Sequence, residues 1–308
     1  MTTILITGGA GFIAGALAEK LATMPSLKIV VVDNFVTGLK ENIPSSVFDN
    51  ILFFEGDVNE RTTIARLFEQ FDFDYVFHYA ALVGVQRTQQ YPIQVLKDVE
   101  GIKHLLEFAV HSKVKRFFYS SSSEVYGEPV QIPQHELTTP LNSRLPYAIV
   151  KNLGEAYLKA YQQQFDLPFT VFRFFNTYGP KQSQDFVIAR FVKAALSNAP
   201  IFIYGDGLQT RTFCYIDDNV EASVVAFERD VWVNEVVNIG SEHEVTIVDL
   251  ARTIVRLCQS SSSIEHLPPL KDGDMTRRQP DNTKMKHLLQ RDLLPLEVGL
   301  QKVIQAYR

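Results

Sequence analysis

The sequence predicts an α/β protein, a doubly wound parallel sheet with a smaller C-terminal lobe. Three observations carry the prediction. Apolar runs alternate with helical repeats through the first half of the chain. Those runs lack in–out alternation, as expected of strands buried on both faces of a parallel sheet. A glycine cluster closes the first run and opens the first helical repeat.

Taken in order, Thr3–Thr7 (TILIT) is a short apolar run ending in glycines, and Phe12–Ala22 has helical spacing. Lys28–Val32 (KIVVV) reads as a second strand, closed by Asp33, and Ile51–Glu55 as a third. Arg61–Phe71 is helix-like, and Asp74–His78 is a fourth strand. A helical repeat over Val95–Ser112 precedes a fifth strand, Val114–Ser120. Tyr147–Phe165 is helical again, and Phe169–Phe174 is a sixth strand. Strand, helix, strand in repeat implies parallel strands with helices on both faces.

The pattern changes after about Asn176. Turns multiply (Gly179-Pro180, Gly205-Asp206-Gly207), the serines Ser260–Ser263 read as a surface loop, and prolines and charges cluster in Leu267–Pro280. Helices are expected at Asp217–Phe227 and Val245–Leu257. The reading is a cofactor-binding domain over 1–175 and a lobe over 176–308, with a boundary the chain can cross more than once.

Bulk properties narrow the classes. The 308 residues are 46% hydrophobic and 21% charged, an ordinary soluble composition. A net charge of -5 argues against nucleic acid as a partner. No run of ~18 apolar residues is present, so no membrane span is expected. The start, MTTILITGG, reads as a strand and not as a secretory signal. Cys214 and Cys258 are far apart and form no disulfide framework, which fits a reducing cytoplasm. The seven histidines show no HxxxH spacing, and no metal is expected.

Thr7–Gly15 reads TGGAGFIAG, with Gly8, Gly11 and Ala14 at GxxGxxG/A spacing. A bare backbone lets a pyrophosphate approach, and helix N-terminal amides attract its charge. The competing reading is a tight strand-to-helix turn, but the flanking strand and helix favour a dinucleotide. Asp33, at the end of the second strand, can accept hydrogen bonds from adenosine ribose hydroxyls and would repel a 2′-phosphate, favouring NAD over NADP. Asp57-Val58, after the third strand, can touch the adenine or cap the following helix.

Tyr147 and Lys151 stand four apart in a helix and share a face. They form the only YxxxK among 12 tyrosines. A nearby ammonium stabilises a phenolate, so Tyr147 could take a proton from a hydroxyl near neutral pH. Ser120–Gly127 (SSSSEVYG) follows the fifth strand at the ligand-binding end of such a sheet. Ser122 could bond the reacting hydroxyl there. Glu124 could act as acid or base, or simply anchor its loop.

Together TGGAGFIA, Asp33-Asn34, HYAA (His78–Ala81), SSSEVYG and PYAIVK resemble the extended short-chain dehydrogenase/reductase family, specifically its NAD-dependent nucleotide-sugar epimerases, dehydratases and decarboxylases. The resemblance continues through RFFNTYGP (Arg173–Pro180), YGDGLQTRTFCYIDD (Tyr204–Asp218), VNIGS (Val237–Ser241) and RRQPD (Arg277–Asp281), nearly the whole chain. It implies a Rossmann-type domain with Ser122, Tyr147 and Lys151 as catalytic trio. It places Gly8, Gly11, Phe12, Ile13, Asp33, Asn34, Asp57, Val58, Ala80, Ala81, Tyr147 and Lys151 along the NAD. Asn176, Arg211 and one of Arg277 or Arg278 would hold the substrate pyrophosphate, beside Ser122 and Tyr147 at the sugar. It also implies a homodimer formed through the helices matching Val95–Ser112 and Tyr147–Phe165.

The chemistry implied is hydride removal from C4 of a nucleotide-linked sugar. The keto-sugar is then re-reduced, dehydrated or decarboxylated. Asp98 stands where many relatives have asparagine, and Thr212 where many have aspartate. Thr212 with FCYIDD, and Ser122-Ser123-Glu124, resemble UDP-glucuronate decarboxylases, and the serine–glutamate segment also resembles dehydratases. YAALVGVQRTQQYP after His78 resembles epimerases. The expectation is a UDP-sugar 4-epimerase, with decarboxylation or 4,6-dehydration as alternatives. A cofactor-bound protein without catalysis is a further alternative, opposed by the intact trio. An NADPH-consuming reductase is opposed by Asp33.

Overall fold

The structure is a computed structural model that describes residues 1–44, 47–269 and 277–308. Of the stretch Leu267–Pro280, residues 270–276 lie outside the described residues. The chain forms two compact units. The first comprises Met1–Val125, Arg144–Arg173 and Val220–Val237; the second comprises Tyr126–Ser143, Phe174–Asn219 and Asn238–Arg308. One crossing therefore falls next to residue 175, and the segments 126–143 and 220–237 depart from a simple division at that point.

In the first half the elements are β1 (Thr2–Thr7), α1 (Phe12–Ala22), β2 (Leu27–Asp33), β3 (Ile51–Glu55), α2 (Arg61–Gln70) and β4 (Tyr75–His78). Next come α3 (Val85–Gln90), α4 (Pro92–His111), β5 (Arg116–Ser122), α5 (Pro146–Phe165) and β6 (Phe169–Phe174). The seven-stranded sheet has the order β11-β6-β5-β4-β1-β2-β3, where β11 is Glu235–Ile239. Strands β3, β2, β1, β4 and β5 pair in parallel. The chain winds outward from β1 to β3, then returns to β4 on the other side of β1. That reversal opens a crevice at the C-terminal ends of β1 and β4, where ligands bind in such sheets.

Strands β1 and β2 are apolar and fully buried at their centres, with Leu5, Val30 and Val32 all inaccessible. They share a core with Ile102, Leu105 and Leu106 of α4 and with Phe117 and Tyr119 of β5. Prolines set two helix starts. Pro92 and Pro146 occupy the first turns of α4 and α5, where a missing N–H costs nothing. Helix α4 thus begins three residues earlier than its apolar spacing predicts.

The second half contains β7 (Thr177–Tyr178), α6 (Val187–Leu196), β8 (Ile201–Tyr204), β9 (Thr210–Thr212), β10 (Cys214–Tyr215), α7 (Ile216–Glu228) and β11. These are followed by β12 (Glu244–Thr246), α8 (Ile247–Cys258), β13 (Ile264–Leu267), α9 (Thr283–Leu289) and α10 (Leu296–Tyr307). The expected helices appear as α7 and α8. Thr246 caps α8 by accepting the Asp249 N–H. Helices α6, α9 and α10 have no counterpart in the expected pattern. Three two-stranded ladders, β10-β7, β12-β9 and β13-β8, hold this half together. Among the described residues, no helix is long and apolar enough to cross a membrane.

Candidate active site

The glycine loop is shaped by close approach. Gly8 has φ +79°, and a Cβ there would stand 2.8 Å from the backbone of Ala80. A Cβ on Gly11 would lie 2.9 Å from the Gly8 carbonyl, which accepts the Gly11 N–H. Only bare backbone fits this turn. Gly11 is the N-cap of α1 and supplies no side-chain cap, so the first-turn amides at Phe12 and Ile13 remain for a ligand oxygen. The carboxylate of Asp33 is fixed at the end of β2, accepting N–H from Ala10 at 3.0 Å and Phe35 at 2.7 Å. Burial pushes its acid up from the ordinary range, against those backbone donors. An uncapped helix start, a side-chain-free turn and a fixed carboxylate fit a dinucleotide with a free ribose diol.

The remaining predicted cofactor contacts divide. Asn34 is exposed, with its Oδ1 accepting the Val36 N–H. Ala80 and Ala81 are half-buried after β4. Asp57 accepts the Asn59 N–H at 2.8 Å, while the N-cap of α2 is Glu60, so the capping alternative for Asp57 does not hold. Val58 is buried in the core, and a Cβ on Gly101 would lie 3.2 Å from its side chain.

Strand β5 runs two residues further than expected and carries Ser121 and Ser122, both buried. A 3₁₀ turn over Ser123–Tyr126 follows. The Ser122 Oγ accepts the Glu124 N–H at 3.2 Å, which leaves its own hydrogen to donate outward. Helix α5 brings up Tyr147, half-buried in its first turn, and Lys151, buried one turn later. The Lys151 Nζ donates to the Ser120 carbonyl at 2.6 Å and to the Ser120 Oγ at 3.3 Å. It lies 5.8 Å from the Tyr147 ring centre and 5.0 Å from that of Tyr119. Burial pushes the Lys151 ammonium down to about 8, while the Asp98 carboxylate acts in the opposite sense. Lys151 thus lies against the Tyr147 ring and Ser120, two residues before Ser122 on β5, and Glu124 is half-buried in the turn that follows.

Two supports were missed in the sequence. The Thr7 hydroxyl accepts N–H from Tyr79 and Ala80 and lies 2.8 Å from His78 Nδ1, to which it donates. This ties β1 to β4 beside the glycine turn. Burial, then the charge of Lys151, pushes the His78 imidazole down to about 3, so this histidine is neutral at ordinary pH. The second support is buried between α5 and the sheet. Arg173 donates to both oxygens of Glu155, at 2.9 and 2.6 Å, and Ser121 donates to Glu155 Oε1 at 2.5 Å. The position of Glu155, one turn beyond Lys151, is the signal that could have found it.

In the second unit, Arg211 is buried on β9, opposite Val245 of β12. Asn176 donates from Nδ2 to the Thr212 carbonyl at 3.1 Å. The adjacent arginines behave differently. Exposed Arg277 donates to both oxygens of Glu244, at 3.1 and 2.7 Å, whereas Arg278 is buried.

A doubly wound sheet with a dinucleotide turn, an acidic β2 terminus and a Tyr–Lys pair beside a strand-end serine defines a nicotinamide-dependent enzyme of short-chain dehydrogenase type. Residues 4–240 match the NAD dependent epimerase/dehydratase family, and the chain belongs to it. A UDP-N-acetyl-alpha-D-glucosaminuronate decarboxylase of Bacillus cytotoxicus is 37% identical, over 99% of this chain and 97% of its own length. The UDP-glucose 4-epimerase of Thermotoga maritima, solved with UDP-glucose, has TM-score 0.93 at 33% identity, covering 99% of this chain and 98% of that one. A dTDP-glucose 4,6-dehydratase from Streptomyces venezuelae, solved with NAD, has TM-score 0.92 at 27% identity, covering 99% and 97%. The protein is an NAD-dependent enzyme of this epimerase, dehydratase and decarboxylase group.

Proposed function

We propose that the enzyme oxidises C4 of a UDP-linked sugar transiently and re-reduces it, acting as a UDP-sugar 4-epimerase. The carrying observation is Lys151 lying against the Tyr147 ring and bonded to Ser120, two residues before Ser122. Tyr147 takes the C4 hydroxyl proton. Lys151 stabilises the phenolate that makes this possible, and Ser122 donates its hydrogen bond to the reacting oxygen. Bound NAD supplies reversible hydride acceptance. Gly8, Gly11, Phe12, Ile13, Asp33, Asn34, Asp57, Val58, Ala80 and Ala81 line its path, the last two and Val58 through backbone or apolar contact. Asn176, Arg211 and Arg278 hold the pyrophosphate; one Asn176 Nδ2 hydrogen remains for it. The kinship with the UDP-glucose 4-epimerase supports the choice of substrate.

A second reading, decarboxylation of a UDP-uronate, is favoured by Glu124 beside Ser122 and by the Bacillus cytotoxicus relative. Incubation with UDP-glucose and with UDP-glucuronate, followed by mass spectrometry and NMR of products, separates the two. An isomer of unchanged mass supports epimerisation. Loss of carbon dioxide overturns it, and Glu124→Gln then cripples turnover.

We further propose a homodimer. Ile93 and Leu96 on α4, and Ile149 and Leu153 on α5, are exposed apolar residues at helical spacing. Light scattering on the purified protein tests this, and a monomer at micromolar concentration refutes it.

A further inference from the structure

The buried Lys151 ammonium is held by neutral partners. It bonds to Ser120 and, among the described residues, makes no ion pair. Two aromatic rings face it. The ring of Tyr119 on β5 is the closer, its centre 5.0 Å from Nζ, against 5.8 Å for Tyr147. A cation within about 6 Å of a ring centre is drawn to the negative ring face, most strongly where water is excluded.

Two neighbouring elements fix the Tyr119 ring in that place. Tyr119 is the register partner of His78 on β4, so both side chains leave the same face of the sheet. Their rings stack with centres 5.8 Å apart and planes at 29°. Burial, then the charge of Lys151, keeps His78 neutral, so this imidazole packs on the ring without competing for it as a cation. The second element is α5. Gly154 stands three residues after Lys151 and shares its face of the helix. A Cβ on Gly154 would lie 2.5 Å from Tyr119 Cζ and 2.8 Å from Cε1. Bare backbone at that position is what lets the ring lie across α5 beside the ammonium.

The hydroxyl of Tyr119 has no part in this. It is buried and has no hydrogen-bond partner among the described residues, and burial holds it as a neutral phenol. The ring face is therefore the part of Tyr119 that meets Lys151.

We propose that Tyr119 is a positioning residue for the reaction: its ring, set against His78 and Gly154, holds the Lys151 ammonium beside Tyr147 and sustains its charge. The proposal rests on the reading of Lys151 as the partner of Tyr147.

The other groups around this lysine stay the same when Tyr119 is replaced. Ser120, on β5, supplies neutral oxygens. Tyr147, on α5, is the group Lys151 serves. Glu155, also on α5, is bound by Arg173. His78, on β4, is neutral, and the charge of Asp98, on α4, favours the ammonium in every variant alike. A change in the titration of Lys151 therefore reports the ring.

The test is an NMR titration of the enzyme labelled with ¹³C at lysine Cε, the Lys151 resonance being assigned by its loss in Lys151→Arg. In Tyr119→Leu the midpoint is expected to fall by roughly one pH unit, the loss of a desolvated cation–ring attraction. Tyr119→Phe keeps the ring face and is expected to keep the midpoint. Tyr119→Met gives the same downward shift if the leucine variant does not accumulate. The alkaline limb of turnover, assayed with UDP-glucose or UDP-glucuronate, follows the midpoint to lower pH. An unmoved midpoint in the leucine and methionine variants overturns the proposal. So does a phenylalanine variant that shifts as far as they do, which would put the effect on the hydroxyl. A midpoint that moves while the limb stays fixed refutes the reading of Lys151 on which the proposal rests, and with it the positioning role.

Discussion

Two buried cations lie along α5, and they are solvated in opposite ways. Arg173 is 2% exposed and grips a carboxylate that is itself 2% exposed, through two charge-assisted hydrogen bonds. Lys151 is nearly as buried but bonds only to the neutral oxygens of Ser120. A guanidinium in a bidentate pair keeps its charge whatever happens nearby. An ammonium bonded only to neutral oxygens can respond to its surroundings. The first arrangement suits a lock between α5 and the sheet, and the second suits a group whose charge must matter to the neighbouring Tyr147.

The sharpest way to break this contrast is to remove the lysine. Lys151→Met, like Tyr147→Phe, is expected to lower turnover by a factor on the order of 10²–10⁴, the range for losing one acid–base group. Thermal stability should hold or rise, since a methionine buries the same stem without the cost of an unpaired charge. Product NMR and a melting curve on the same sample decide it. A large loss of melting temperature with ordinary turnover would make Lys151 the lock.

Removing the arginine should do the reverse. Arg173→Met leaves the Glu155 carboxylate buried without its cation, which costs on the order of 3–5 kcal/mol in comparable buried pairs. Urea unfolding of Arg173→Met, and of Arg173→Met combined with Glu155→Leu, measures it. The double variant should recover most of the loss, because the buried charge is gone. A double variant as unstable as the single one would mean that packing, and not the pair, holds α5.

A smaller effect separates the roles by pH. The Lys151 ammonium titrates at about 8 in the fold, against an ordinary value of 10.5 in the unfolded chain. Between those values the unfolded state binds the extra proton, so the contribution of Lys151 to stability rises with pH. Below about 8 both states are protonated, and the folded state carries the full cost of its buried charge. Turnover should fall over the same window as the ammonium is lost. The stability difference between wild type and Lys151→Met, measured from pH 7 to 10, isolates this group from the tyrosines. A difference that stays flat across the window contradicts the depressed ammonium.

How much of this was legible differs between the two halves of the chain. Strands β1, β2, β4, β5 and β6 are largely buried on both faces, so each leaves a contiguous apolar run, while edge strand β3 keeps its apolar run though only partly buried. The end of β5 was lost because Ser121 and Ser122 are polar yet buried, their burial made tolerable by partners such as Glu155 that lie far along the chain. Tyr147 and Lys151 were legible because their partnership is one helical turn. Glu155 lies one turn beyond Lys151, but its partner Arg173 sits on a different element, and no local spacing announces the pair. In the second half β7, β9 and β10 are two or three residues long, too short for any period to show. Amphipathic α6 was hidden because its apolar residues crowd into one near-continuous run, VIARFVKAAL.

The smallest expected effect concerns the neighbouring arginines of the second unit, which repeat the contrast in another form. Exposed Arg277 is already committed to Glu244, whose carboxylic acid the guanidinium pulls below its ordinary range. Exposed pairs of this kind contribute little and are screened by salt. Arg277→Ala should therefore leave UDP-sugar affinity and melting temperature unchanged within error. Arg278 is buried, and its loss should weaken binding of the diphosphate, because a guanidinium held in a low-dielectric setting acts on phosphate oxygens with little competition from water. Isothermal titration with UDP compares the two variants directly. Weaker UDP binding in Arg277→Ala, with Arg278→Ala unaffected, would reverse the assignment: the Glu244 pair would then be a resting position from which Arg277 is released to the phosphates.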